Sequence, residues 1–176
     1  MAMSRRTAWI GGGLLARLLM VAVLLMSVRF VLANHTDLDY PGGYNKLQSY
    51  AYVVASAIVG VAGSVLQIPV ALYLLCKSKR AMPSAMILDV SMHADIVISV
   101  VLASGVGAGF GATNDVLRYV RVIEWKGGSS ERQDLTDYYN RAIVALIFLL
   151  VGMLLSFCAT VVSARLRAKA INESEV

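Results

Sequence analysis

The stretch WIGGGLLARLLMVAVLLMSVRFVL, residues 9–32, decides the fold. Its only charged residues are Arg17 and Arg29. At about 1.5 Å rise per residue, a helix of this length is longer than the roughly 30 Å hydrocarbon layer of a bilayer. Arg5 and Arg6 precede it as basic residues precede a secretory signal, but the apolar run continues from Ala8 to about Ala33 with no small-residue cleavage pattern at a signal-like distance. It reads as a retained transmembrane helix, because backbone amides in lipid must satisfy one another within the segment.

Working outward, three further apolar stretches reach spanning length, at residues 51–75, 85–110 and 142–162. Apolar residues make up 58% of the 176, charged residues 15%, and the mean hydropathy is +0.68. A soluble core of this size cannot bury that excess, so lipid must cover it. The expected fold is an all-α integral membrane protein, a four-transmembrane-helix bundle forming one domain over residues 1–176, with tails at 1–8 and 163–176. HTDLDYPGGYNK (residues 35–46) separates the first two spans and carries the turn signal Pro41-Gly42-Gly43. A short basic break with Lys77, Lys79, Arg80 and Pro83 separates the next two. A long loop from about Gly111 to Arg141, centred on Gly127-Gly128-Ser129-Ser130, separates the last two.

Basic residues fix the expected orientation, since short loops rich in Lys and Arg stay in the cytoplasm. Arg5 and Arg6, then Lys77, Lys79 and Arg80, then Arg165, Arg167 and Lys169 all fall on one side of a four-span layout. Both termini are therefore expected in the cytoplasm. In the long loop five basic residues (Arg118, Arg121, Lys126, Arg132, Arg141) are balanced by five acidic ones (Asp115, Glu124, Glu131, Asp134, Asp137). The net charge of +5 is spread over short membrane flanks, with no aromatic-interleaved basic stripe, which argues against a nucleic-acid partner. Cys76 and Cys158 have no neighbours at metal-ligand spacing, which argues against a metal site or a disulfide framework.

Charge inside the spans is the first candidate site. Arg17 and Arg29 lie in the first span, and Asp89, His93 and Asp95 in the third. Each costs about 2.5 to 3.5 kcal/mol in hydrocarbon on insertion scales and should face the bundle interior beside a partner. Arg29 is near a membrane boundary and can snorkel outward, whereas Arg17 lies at the depth of the aspartates. Arg17 and an aspartate are the expected intramembrane ion pair, either as a pin between helices or as part of a proton or ion pathway. His93 follows Asp89 by four residues and so shares its helical face. Asp89 and Asp95 are six apart, about 240° on a helix, and cannot form a paired-carboxylate acid/base site. No nucleophile, histidine and acid are placed as a catalytic set, so no enzyme activity and no cofactor are expected.

Small residues at spacing four form a second set: Ser56, Gly60 and Ser64 in the second span, Gly105 with Gly109 and Gly107 with Gly111 in the third. Such faces let helix backbones approach closely, within or between subunits. GVGAGFG (105–111) lacks G-x-G-x-x-G spacing and lies in an apolar helix, so it is no dinucleotide loop. Asn34-His35-Thr36 is a candidate N-glycosylation sequon, and Cys76 beside Lys77 a candidate palmitoylation site.

LLARLLM (14–20), KLQSYAYVVASAIVGVAGSVLQI (46–68), HADIVISVVLASG (93–105) and DYYNRAIVALIFLL (137–150), in that order and with the long loop last, resemble the CASP-like (Casparian strip membrane domain protein-like) family, itself related to MARVEL-type tetraspan proteins. The resemblance covers about residues 12–165. Its characteristic first-span arginine and third-span aspartate fall on Arg17 and Asp95, with Asp89 as fallback; Ser104-Gly105 follows Asp95 as small residues follow the family's aspartate. The long loop lacks the cysteines often seen there in the family, and residues 35–46 differ from the signature of the proteins that build Casparian strips. The resemblance therefore implies a generic CASP-like scaffold of the plant plasma membrane. Such a scaffold would assemble as a homodimer or larger homo-oligomer, form hetero-oligomers with related family members, and recruit cell-wall-modifying enzymes. The competing expectation is a small transporter or channel subunit using Arg17, Asp95 and His93.

Overall fold

The computed structural model describes residues 5–34, 47–77, 85–122 and 129–174. Every element among them is a helix: α1 Arg5–Ala33, α2 Gln48–Lys77, α3 Ala85–Val122 and α4 Ser129–Ser174. All four are long and apolar enough to cross a membrane. They form a ring in which α1 packs on α2 and α4, and α3 on α2 and α4, while the diagonal pairs barely touch.

The apolar centre of the ring is built from Leu24 and Met20 of α1, Val53 and Ala57 of α2, Ile98 and Leu102 of α3, and Ala145, Leu146 and Leu149 of α4. Large apolar side chains on the outer faces, such as Leu66, Val97 and Val100, remain uncovered as a lipid-facing surface requires. Pro69 lies inside α2, where it removes a backbone donor one turn after Val65.

Two boundaries differ from the sequence expectation. The segment read as a long loop over 111–141 is largely helical, because α3 runs twelve residues past Phe110 to Val122 and α4 starts at Ser129. Val120 is buried, and Val116, Leu117 and Leu135 pack on the tyrosine cluster of Tyr50, Tyr138 and Tyr139. The two helices thus continue beyond the apolar spans as an amphipathic pair, which a search for unbroken apolar runs stops short of. The tail read at 163–176 is likewise part of α4 as far as Ser174, with Ser163 buried and Leu166 packed against Ile10 and Leu88. The turn signals at Pro41-Gly42-Gly43 and Gly127-Gly128, and the basic residues Lys79 and Arg80, lie outside the described residues.

Of the spacing-four small residues, Ser56, Gly60, Ser64, Gly105 and Gly109 face inward, whereas Gly107 and Gly111 do not. A Cβ on Gly60 would stand 2.7 Å from Leu24 Cδ1 and 3.0 Å from Leu102 Cδ2. On Gly105 it would strike the Ser56 hydroxyl, and on Gly109 it would meet Leu146 and, at 2.8 Å, Val53. Gly152 of α4 closes the same layer against Leu24. Close approach here is between helices of one chain. Accordingly Gly60→Leu and Gly109→Leu overpack the core by about 1 to 3 kcal/mol. Each should lower the thermal unfolding midpoint of the purified protein in detergent; an unchanged midpoint for both would refute this packing.

Candidate functional site

Arg17 of α1 and Asp95 of α3 are 6% and 4% exposed, and Nη2 lies 2.7 Å from Oδ2 across the diagonal of the ring. The other diagonal completes the shell. Arg17 donates through Nε and Nη2 to Gln67 Oε1 of α2, at 3.0 and 2.6 Å. Ser163 of α4 donates to Asp95 Oδ2 at 2.6 Å and accepts from Arg17 Nη2 at 3.3 Å. Arginine can only donate, so its contacts fix the Gln67 amide with oxygen towards the guanidinium. One side chain from each helix therefore meets at a single charged knot. Gly13, one turn before Arg17, leaves the space: a Cβ there would stand 3.1 Å from Val162 and 3.8 Å from Arg17 Nη1.

Beside the knot, towards the termini, lies a cavity of about 20 Å³ lined by Ile10, Gly13, Arg17, Ser91, Ser163 and Leu166, among others. That is room for one water molecule. On the side towards the bundle centre a hydroxyl ladder ties α3 to α4. Ser99 donates to the Asp95 carbonyl at 2.8 Å and lies 2.7 Å from Ser156 Oγ and 3.3 Å from Thr160 Oγ1.

Asp89 does not serve Arg17. It pairs with Arg167 of α4 at 2.8 Å, in a half-exposed position near the bundle end that carries both termini. The fallback partner thus belongs to a second, shallower bridge between α3 and α4. His93 is also separate from the knot: its side chain is 65% exposed, and its Nδ1 donates to the Asp89 carbonyl at 2.8 Å. A shared relay of Arg17, Asp95 and His93, as a transport path would require, is not the observed arrangement. Arg29 is exposed on α1. At the same end as Asp89, Arg165 lies over the Trp9 ring, 4.8 Å from its centroid, joining α4 to α1.

The opposite end has its own four-helix polar layer. Asn34, just past α1, donates through Nδ2 to the Tyr138 carbonyl of α4 at 2.9 Å, and Tyr50 of α2 lies 2.7 Å from Thr113 Oγ1 of α3. Tyr50, Tyr138 and Tyr139 pack edge-on and tilted around these bonds. Asn34 is a candidate glycosylation site by sequence, with His35 and Thr36 of its sequon outside the described residues. The residue is 7% exposed, and the nitrogen that would carry the sugar is committed to Tyr138. The Cys76 side chain lies outside the described residues, and Cys158 is exposed on α4. Ser56 and Ser64 are buried, the latter donating to Met20 Sδ at 3.4 Å. Among the described residues, no three His, Cys, Asp or Glu side chains gather as metal ligands.

Sequence reasoning missed Gln67, Ser163 and Arg167. Gln67 carried a usable signal, since a lone amide deep in an apolar span needs a partner just as a charge does. Ser163 carried none: it lies at the edge of the polar tail, and only the crossing of α3 and α4 brings it to Asp95.

Comparison with known proteins agrees with this arrangement. Residues 6–155 match the Casparian strip membrane protein domain. The chain is 27% identical over 155 residues to CASP-like protein 4D1 of Ricinus communis, covering 85% of each chain. It is 33% identical over 120 residues to CASP-like protein 4D1 of Sorghum bicolor, covering 61% of this chain and 62% of that one. The Arabidopsis thaliana protein of the same description is 26% identical over 149 residues, covering 84% of this chain and 82% of that one. No solved structure matches.

Breaking the knot from one side should cost more than dissolving it. Arg17→Leu strands a buried carboxylate and Asp95→Leu a buried guanidinium, each by about 3 to 5 kcal/mol, whereas the double leucine variant should recover part of that loss. The yield of folded protein and its unfolding midpoint provide the double-mutant cycle; strictly additive effects would show that the two are not coupled. For Asn34, glycosidase treatment of protein made in a plant host should leave its mass unchanged, while Asn34→Ala should lower its unfolding midpoint through loss of the bond to Tyr138. A glycan found at Asn34 would contradict the buried geometry.

Proposed function

Since this chain belongs to the Casparian strip membrane protein domain family, we propose that it is a non-enzymatic scaffold of the plasma membrane that self-associates into domains and recruits cell-wall-modifying partners. The termini and the α2–α3 junction are assigned to the cytoplasm on the strength of their basic flanks. The polar side chains deep in the bundle are directed at one another: Arg17, Gln67, Asp95 and Ser163 bond together, with Gln67 Nε2 alone unpartnered, beside a cavity with room for a water. That geometry favours a rigid strut over a conduit.

The observation that carries the self-association is on the lipid side of α3. Gly107 and Gly111 are about one turn apart, and a Cβ on either would meet nothing within 4 Å, while Val97 and Val100, earlier on the same helix, are 60% and 62% exposed. Gly60, Gly105 and Gly109 are already occupied inside the chain, so of the spacing-four glycines it is the Gly107 and Gly111 pair that lies open to a second copy. In bilayer crosslinking, Gly107→Leu and Gly111→Leu should weaken oligomers while leaving the unfolding midpoint in place. Undiminished crosslinking in the double variant would exclude this face, and a freely diffusing monomer in the cell would exclude the scaffold.

A further inference from the structure

At the end of the bundle away from the termini, the extensions of α3 and α4 flank an open cleft of about 320 Å³ lined by Leu117 and Arg121 of α3 and Arg132, Gln133, Thr136 and Asp137 of α4. Among the described residues, neither arginine has an ion-pair partner within 4 Å, and Asp137 also has none. Two guanidiniums from different helices therefore open into one pocket together with an unpaired carboxylate and an amide. The Thr136 hydroxyl donates to the Arg132 carbonyl at 2.8 Å and keeps its acceptor capacity for a ligand.

This combination is selective. Paired guanidiniums present forked donors that suit a carboxylate or a phosphate. Asp137 in the same cleft repels a bare anion, yet it accepts hydrogen bonds from hydroxyl groups. A ligand satisfying both needs one anionic group and several hydroxyls on a small frame, and the volume is at the lower end of the roughly 300–1,000 Å³ of small-ligand pockets. We propose that this cleft binds a uronate, the carboxylate on Arg121 and Arg132 and the ring hydroxyls on Gln133, Thr136 and Asp137. On the orientation proposed above, on which only the place of encounter rests, the cleft opens outside the cell, where it meets acidic polysaccharide.

The test uses the full-length chain in nanodiscs of uncharged lipid, titrated calorimetrically with trigalacturonate, its methyl ester, and inorganic phosphate. Saturable binding of trigalacturonate is expected, with affinity falling about tenfold or more in each of Arg121→Gln and Arg132→Gln, as loss of a charge-assisted contact requires. Asp137→Asn should weaken trigalacturonate while strengthening phosphate. Methyl ester or phosphate binding as tightly as trigalacturonate would overturn the assignment, as would full affinity in the Arg121→Gln, Arg132→Gln double variant. Both arginines are exposed, so the variants should keep the parent unfolding midpoint. Crosslinking of the same variants reports self-association separately: oligomers that persist without sugar binding sink the uronate site alone.

Discussion

A guanidinium and a carboxylate held 2.7 Å apart within a membrane-spanning bundle constrain the rest of this structure. Hydrocarbon offers neither charge any solvation, so each must find its full set of partners in the protein, and breaking the set is far costlier than never having made it. Because Arg17 and Asp95 sit on diagonal helices, their contact crosses the centre of the ring, and the full set of bonds forms only when all four helices are in register. Gln67 and Ser163 complete it from the remaining two. The knot thus specifies the arrangement of the ring more than it adds to its stability, since the desolvation of two charges offsets much of their attraction.

Close helix approach is the condition for such short bonds. Gly13 opens space beside Arg17, and Gly60, Gly105, Gly109 and Gly152 let Leu24, Leu102, Leu146 and Ser56 fill the layers above it. The hydroxyl ladder of Ser99, Ser156 and Thr160 continues the polar contact along α3 and α4 towards the bundle centre. At the far end Asn34, Tyr50, Thr113 and Tyr138 repeat the scheme without charge. Two polar layers, each drawing on every helix, bracket an apolar centre, so that sliding one helix along its axis would break bonds at both ends at once.

A bundle tied in this way has its adaptable surfaces outside. The lipid-facing side of α3 presents the open glycine pair, and the extended ends of α3 and α4 present to water charges that have no ion-pair partner among the described residues. The proposed scaffold would use one of these surfaces for its own copies in the membrane and the other for chemistry beyond it. The buried polar groups between them provide rigidity, and the exposed His93 bonds the Asp89 carbonyl within its own helix.

Much of this was legible in the sequence, because hydrocarbon imposes a length and a composition that any spanning segment must show. The four helices, their order and the need to pair Arg17 followed from residue type and depth alone. Asp95 and Asp89 were both open to Arg17 by depth, and the family resemblance rather than geometry favoured Asp95. What the sequence could not carry was everything set by helix rotation and crossing. That α3 turns Asp95 inward and leaves Asp89 to Arg167, that Ser163 of an apparent tail closes the knot, and that Asn34 folds under Tyr138 all depend on which faces meet. The same rotation buries Gly105 and Gly109 and leaves Gly107 and Gly111 open, though all four share one spacing. Spacing fixes which residues share a face; only packing against the other three helices decides which way that face points.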